Sequence, residues 1–260
     1  MNDTHVKSLS ILPLGRLKLE QSLLTYREGV GIPVEVPVTG AFIEMSDGEH
    51  ILFDTGISPS VLEGQNHGLP EKLRNVIASF DPEDDIRYRL NQLGYKPEDV
   101  AIVVNSHLHW DHSGANYLFP DARFVLQDRE VRFASRPDPF VQRVYVSNQY
   151  ESIKKLDALQ GDQILKPGVA LMTTPGHTPG HQSMLVRLPS GRVMILTGDA
   201  VFCPANFDPA VPPGNAHTPA DAVLTIQRIK MLGEFLDAGI VICHDPDLWE
   251  AWKPCPYRYT

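Results

Sequence analysis

Short apolar runs alternate with segments of helical periodicity along this chain. Runs of strand character occupy eight segments, namely Ser8–Leu14, Val38–Met45, His50–Phe53, Ala101–Asn105, Arg123–Leu126, Val169–Thr173, Val193–Thr197 and Ile240–Cys243. Asp47-Gly48 has the composition of a hairpin turn, which predicts that the second and third of these strands pair. Strands that alternate with helices predict an α/β layered domain.

Three segments carry the signals of helices. Pro82–Gly94 begins with acidic residues, which the positive end of a helix dipole favours, and Glu151–Leu159 is also predicted to be helical. Thr218-Pro219-Ala220-Asp221 predicts a capping box with proline at the first helical position. The helix that follows this box is predicted to end at about Leu236.

The segment Ile57–Asp81 fits neither pattern well. It begins with proline, serine and glycine and becomes weakly helical only through Glu71–Phe80. Because it is long, irregular and placed after a strand end, it is either a lid or pocket wall, or a surface excursion.

Composition narrows the class of protein. The 260 residues, with no repeat or linker-like stretch, predict one domain over residues 1–260. A formal net charge of -9 argues against binding to nucleic acid or to acidic membranes. The sequence has no secretory signal pattern and no apolar run of the ~20 residues that span a bilayer. Three cysteines are too few for a disulfide framework, so a cytoplasmic location is expected.

Four of the predicted strands are followed by residues of the types that bind metal ions. The strand Ala101–Asn105 is followed by His107, His109, Asp111 and His112, the strand Val169–Thr173 by His177, the strand Val193–Thr197 by Asp199, and the strand Ile240–Cys243 by His244. Imidazole and carboxylate groups are ligands of zinc, and three such groups with an open position are typical of a catalytic site. The pattern therefore predicts a metal-dependent enzyme.

These motifs also resemble a known family. HLHWDHSG, TPGHTPGH, TGDA and CHD, with DTG at Asp54–Gly56, are similar in order and separation to the motifs of the metallo-β-lactamase superfamily. The resemblance implies an αββα sandwich, in which two mixed β-sheets are flanked by helices and the metal site lies at one edge. It further implies two metal ions, expected to be zinc, with iron, manganese or cobalt as alternatives.

The resemblance assigns a role to each candidate ligand. His107, His109 and His177 would hold the first ion, whereas Asp111, His112 and His244 would hold the second. Asp199 would bridge the two ions. Two divalent ions against two carboxylates leave a strongly positive centre, which should capture hydroxide as a nucleophile.

Within the superfamily, the chain is most similar to the N-acyl-homoserine lactone hydrolases, the quorum-quenching lactonases. The similarity implies a small-molecule lactone substrate, attack by a bridging hydroxide, and proton transfer to the leaving oxygen by Asp111. Two alternatives remain open: hydrolysis of another ester (another lactone, an aryl ester, a phosphotriester or a thioester), and a di-iron redox protein. The sequence leaves the oligomeric state undecided.

One position departs from the lactonase pattern. These lactonases usually carry tyrosine three residues after the bridging aspartate, whereas this chain has Phe202, with Asn206 nearby as a substitute donor. Trp110 and Phe202 are candidates to line the substrate pocket. Packing in the core would explain Trp110 equally well, and it is the commoner role of an isolated phenylalanine such as Phe202. His181 and Asp54 are expected to orient the ligand loops through hydrogen bonds rather than to bind metal.

Overall fold

Two β-sheets form the centre of the molecule in a computed structural model that describes residues 5–62, 64, 69–151 and 153–260. The strands of the first sheet are β1 Val6–Glu20, β2 Pro33–Met45, β3 His50–Phe53, β4 Ile77–Ser79, β5 Val100–Val104, β6 Arg123–Gln127 and β7 Leu156–Leu159. The strands of the second sheet are β8 Gln163–Lys166, β9 Val169–Thr173, β10 Gln182–Arg187, β11 Val193–Leu196 and β12 Gly239–Val241.

Both sheets mix parallel and antiparallel pairs. The first sheet has the order β4-β1-β2-β3-β5-β6-β7, and the second has the order β12-β11-β10-β9-β8. The central strands β3, β5 and β6 run parallel, as their continuous apolar sequences favour. In the second sheet, β11 and β12 are parallel to each other, whereas β10 is antiparallel to both of its neighbours, β9 and β11. Strands β9, β11 and β12 therefore end at the same edge.

The helices flank the two sheets. Their bounds are α1 Glu71–Arg74, α2 Ile86–Gln92, α3 Trp110–Ser113, α4 Asp128–Ser135, α5 Pro219–Leu236 and α6 Leu248–Ala251. Short 3-10 helices lie at Gln21–Leu23, Pro59–Val61, Pro82–Asp84, Pro97–Asp99, Asn116–Leu118, Gln142–Val144, Ser147–Gln149, Gly198–Ala200 and Pro204–Asn206. Among the helices of the described residues, none has both the length and the apolar character needed to cross a membrane.

The apolar core has three layers, which is the arrangement expected of an αββα sandwich. Between the sheets, buried side chains of β1, β2, β3 and β5 pack with those of β9, β10 and β11. Ile43, Val104 and Met194 are members of this layer. On the outer face of the second sheet, Ile226 and Ile229 of α5 cover β9 and β11. The third layer lies on the other face of the first sheet, where Ile86 and Leu90 of α2 are buried. The predicted fold class is confirmed.

Several element predictions were wrong in detail. The predicted helix Glu151–Leu159 is absent from its described part, where β7 instead pairs in parallel with β6; residue 152 lies outside the described residues. The weak helix predicted through Glu71–Phe80 stops at Arg74, because the next residues pair with β1 as strand β4. Helix α5 begins at Pro219 as predicted, but the Thr218 side chain makes no capping hydrogen bond.

Candidate metal centre

The ligand-bearing loops of both sheets meet at one edge of the sandwich. The loop after β5 and the short helix α3 carry His107, His109, Asp111 and His112. The loops after β9, β11 and β12 carry His177, Asp199 and His244. Thus the structure brings together all of the residues that the sequence nominated as ligands. Each sheet contributes part of the set.

Three histidines form the first cluster. The ligand atoms of His107, His109 and His177 all lie within 4.8 Å of one another. His177 Nε2 is 3.0 Å from His109 Nδ1 and 3.2 Å from Asp199 Oδ2. His107 Nε2 lies 4.0 Å from the same Asp199 oxygen. These nitrogens therefore face a common point beside Oδ2.

The second cluster faces the other oxygen of Asp199. His112 Nε2 and His244 Nε2 lie 3.0 Å and 3.3 Å from Asp199 Oδ1. Asp111 Oδ2 is 3.7 Å from His112 Nε2 and 3.6 Å from His244 Nε2. Since Asp199 presents one oxygen to each cluster, it has the geometry of a carboxylate that bridges two ions.

The donor set fits divalent metal ions. Within the described residues, the buried atom His107 Nε2 has no hydrogen-bond partner, and His112 Nε2 and Asp199 Oδ1 lie 3.0 Å apart without the geometry of a hydrogen bond. A buried polar atom without a partner costs about 1–3 kcal/mol, and ligation to a cation would remove that cost. Burial holds the pKa values of His107 and His109 well below the usual range, so both imidazoles are neutral and carry a free lone pair.

Charge in the second cluster is consistent with a cation site. Although burial opposes it, the Asp199 carboxylate raises the pKa of His244 to about 10. Burial likewise opposes ionisation of Asp199, yet the imidazoles of His112, His244 and His177 hold its pKa well below the usual range. The carboxylate is thus ionised and attracts positive charge, which a proton supplies on His244 and a metal ion would supply when bound.

Hydrogen bonds behind the clusters orient the ligands. Asp54 accepts bonds from Ser106 N at 2.6 Å, Ser106 Oγ at 2.7 Å and His112 Nδ1 at 2.9 Å. Its backbone has a φ of 57°, a left-handed conformation that is uncommon for aspartate and is found at functional sites. His244 Nδ1 donates to Pro37 O at 2.7 Å. Both contacts leave the Nε2 atoms facing the centre, as predicted for Asp54.

His181 also has the orienting position that was predicted for it. Its Nε2 accepts a hydrogen bond from Asp199 N at 3.0 Å, and its Nδ1 lies 2.8 Å from Thr174 Oγ1. Because Nε2 is an acceptor, the ring is neutral, and burial lowers the pKa of His181 to about 3. His181 therefore fixes the backbone of the bridging aspartate.

The glycine of the TPGHTPGH motif permits a close backbone approach. Gly176 has a φ of +141°, and a Cβ there would lie 2.4 Å from Ala222 Cα. Consequently no side chain fits between this turn and the first turns of α5. His177 is thereby held against the long helix that covers the second sheet.

A cavity of about 530 Å³ opens onto both clusters. Trp110 and Phe202 line it beside the ligands, and both side chains are also buried in the apolar core. The lining also has the charged groups of Lys72 and Arg143 and an apolar part, which includes Leu17, Leu19, Leu23, Leu73, Val76 and Val144. Leu73 and Val76 belong to the irregular segment after β3, so the described part of that segment is a pocket wall.

The suggestion that Asn206 replaces the missing tyrosine was wrong. Its Oδ1 accepts bonds from Phe202 N and Cys203 N, and its Nδ2 donates to Leu24 O and Val211 O, at 2.8–3.0 Å. With its amide fully engaged, Asn206 fixes the loop that carries Phe202. The Phe202 ring is tilted toward the rings of His177 and His244, with centroids 5.6 Å and 5.1 Å apart.

Sequence reasoning missed three residues of the site. Asn215 lines the cavity, Glu130 lies behind the first cluster, and Tyr145 packs edge-on against His109 with ring centroids 4.8 Å apart. These three residues lie outside the ligand motifs, so no local pattern identified them. Cys243, within the CHD motif, adds a buried thiol whose Sγ lies within 4.8 Å of ligand atoms of His112 and His244.

Two sheets that enclose paired histidine clusters around one aspartate define a class of metal-dependent hydrolases. The comparison with protein families narrows this class: residues 34–244 match the Metallo-beta-lactamase superfamily, and the chain belongs to it.

Relatives with assigned activities cover nearly the whole chain. The N-acyl homoserine lactonase AttM of Rhizobium radiobacter is 33% identical, over 97% of this chain and 98% of its own length. An N-acyl homoserine lactonase of Bacillus cereus is 32% identical over 88% of each chain.

A solved structure supports the same relationship. The structure of an N-acyl homoserine lactone hydrolase, with the product N-hexanoyl-L-homoserine bound at its catalytic metal centre, superposes with a TM-score of 0.84. It is 29% identical and covers 98% of this chain and 100% of its own. The chain is accordingly similar to lactonases in both sequence and fold.

Proposed function

We propose that this protein is a dinuclear-metal hydrolase that opens the lactone ring of N-acyl-homoserine lactones. The observation that carries the proposal is the position of Asp199, whose two oxygens face two separate ligand clusters. The relatives AttM and the Bacillus cereus lactonase support the choice of substrate.

Zinc is the proposed metal, because imidazole and carboxylate ligands suit it. His107, His109 and His177 would hold one ion, Asp111, His112 and His244 the other, with Asp199 shared. When bound, the two ions would activate water and polarise the substrate carbonyl.

The protein's own side chains position the substrate and move the proton. The apolar wall formed by residues such as Leu19, Leu73 and Val144 would accept an acyl chain and exclude water from it. Asp111 lines the cavity and lies beside His112 and His244 of the second cluster. Because of this position, it is the group proposed to deliver a proton to the ring oxygen as the C–O bond breaks.

A second candidate function rests on Phe202. A phenyl ring cannot donate a hydrogen bond to a developing oxyanion, so the pocket would suit an ester that needs no donor at this position. Another lactone, an aryl ester, a phosphotriester or a thioester would then be the substrate. The metal centre would be the same.

Metal analysis together with ring-opening assays tests the proposal. We expect about two zinc ions per chain after reconstitution and rapid acid release in a pH-stat assay with acyl-homoserine lactones. Open-chain esters of matched size should react more slowly. Two ions without lactone turnover would favour the second candidate, whereas the absence of stoichiometric metal binding would contradict both.

Restoring the missing hydroxyl should change the rate. In Phe202→Tyr, the new hydroxyl lies on a ring that lines the cavity and faces two ligand histidines. One donor to an oxyanion contributes ~10²–10³ in rate where the site is built for it, so we expect kcat on acyl-homoserine lactones to rise about tenfold. Steady-state kinetics on the zinc-loaded variant measures this change.

Phe207→Tyr is the control for this substitution. Phe207 packs beside the outer layer of the second sheet and is not among the cavity-lining residues. Its kinetics should match the wild type. A Phe202→Tyr variant with unchanged or lower kcat on every lactone would show that the pocket does not use a donor there.

A further inference from the structure

A carboxylate that no ligand motif contains lies behind the first cluster. Glu130, in the first turn of α4, is fully buried, with 0% of its surface exposed. Its Oε1 accepts bonds from Leu108 N at 3.0 Å and Tyr145 Oη at 3.0 Å. Its Oε2 accepts bonds from Thr178 Oγ1 at 2.6 Å and Gly180 N at 3.3 Å.

These bonds reach both loops that carry the first cluster. Leu108 stands between His107 and His109, and Thr178 directly follows His177. One carboxylate therefore ties the loop after β5 to the loop after β9. The two loops belong to different sheets, so their relative position is not set by strand pairing.

The tyrosine in this network reaches a ligand directly. Tyr145 donates its hydroxyl hydrogen to Glu130, while its ring packs against the ring of His109 at an interplanar angle of 78°. The contact limits the rotation of the His109 imidazole. Glu130 thus acts on each histidine of the first cluster through one intervening residue.

The backbone around Glu130 is closely packed. A Cβ at Gly180 would lie 2.0 Å from Glu130 N and 2.4 Å from Glu130 Cα, so the loop after His177 contacts the backbone of α4. A buried carboxylate is unfavourable unless its oxygens accept hydrogen bonds. Within the described residues, the four bonds to the Glu130 carboxylate come from the ligand loops and from Tyr145. A residue needed only for the core would be replaced more favourably by an apolar one.

We propose that Glu130 is a positioning residue that sets the geometry of the first metal site, and that the second site does not depend on it. The inference rests on the dinuclear centre of the proposed function but not on the identity of the substrate. Among the described residues, the Glu130 carboxylate bonds to Leu108, Tyr145, Thr178 and Gly180, and to none of the second-cluster residues Asp111, His112 and His244.

Glu130→Gln tests the proposal in the zinc-loaded enzyme. The amide keeps the size of the side chain but turns one acceptor into a donor, which then faces the N–H of either Gly180 or Leu108. We expect zinc affinity at the first site to fall about 10–100-fold, the range for residues that orient metal ligands. Affinity at the second site should change less than threefold.

The readout is zinc release to a chromophoric chelator, with His177→Ala and His112→Ala used to assign the release phases to the first and second sites. Visible spectra of the cobalt-substituted protein give an independent measure of ligand geometry. Tyr145→Phe, which removes one of the four bonds, should shift the first site in the same direction by a smaller factor. Glu130→Asp keeps the charge and should recover part of the affinity.

Leu90→Ala is the control for a purely structural effect. Leu90 lies on α2, is fully buried in an apolar cluster and is not among the residues that line the cavity. The substitution should lower the melting temperature while both zinc affinities stay at the wild-type level. Equal weakening of both sites in Glu130→Gln, or a lower melting temperature with unchanged first-site affinity, would overturn the proposal. Because zinc release is measured, an enzyme inactive on lactones would still give a decisive result.

Discussion

Replacement of Asp199 by alanine is expected to reduce kcat/KM on the preferred substrate below about one thousandth of the wild-type value. Loss of a single oxyanion donor already costs ~10²–10³ in rate, and Asp199 faces both ligand clusters rather than one. Without its carboxylate, the first cluster has no anionic ligand and the second cluster keeps only that of Asp111. Zinc content should therefore fall below two ions per chain, which elemental analysis of the purified variant measures.

Asp245→Asn is the matched control for this variant. Asp245 follows the ligand His244, but its carboxylate accepts a local bond from Asp247 N at 3.1 Å rather than facing the clusters. We expect activity within a few-fold of the wild type and full zinc content. If Asp199→Ala kept both ions and normal turnover, the shared-carboxylate centre would be wrong.

Replacement of Asp111 by alanine should also abolish measurable turnover, but with a different metal content. Asp111 belongs to the second cluster, so the three histidines of the first cluster stay intact. We expect about one zinc ion per chain and loss of both the second ion and the proposed proton donor. Asp111→Asn keeps the size of the side chain and should recover some metal but little activity. Full activity in Asp111→Ala would remove this residue from the mechanism.

The central strands could be predicted from sequence because their own residues specify them. The run His50–Phe53 and the run Val169–Thr173 are strands with the predicted bounds, since both are short apolar runs bounded by turn residues. Strand β7 was mistaken for a helix because it lies at a sheet edge, with exposed and half-buried residues in alternation. Its conformation depends on pairing with β6, which local periodicity does not report.

The candidate ligands could be identified because they cluster in short motifs at strand ends. Glu130 could not, since a glutamate near the start of a helix is the usual pattern of a solvated first turn. Only the tertiary structure places it at 0% exposure between two loops that are separated by tens of residues in sequence. Asn206 illustrates the opposite error, because proximity in sequence to Phe202 did not predict where its amide points.

The contribution of both sheets to each cluster links metal supply to the lifetime of the protein. When the sheets separate on unfolding, His109 would move away from His177, and His112 would move away from His244. The unfolded chain would therefore have little affinity for the ions. Free metal at a hundred times the dissociation constant of one site then adds about 2.7 kcal/mol to the free energy of unfolding. A cell that runs short of metal would accordingly lose the protein to proteolysis as well as its activity.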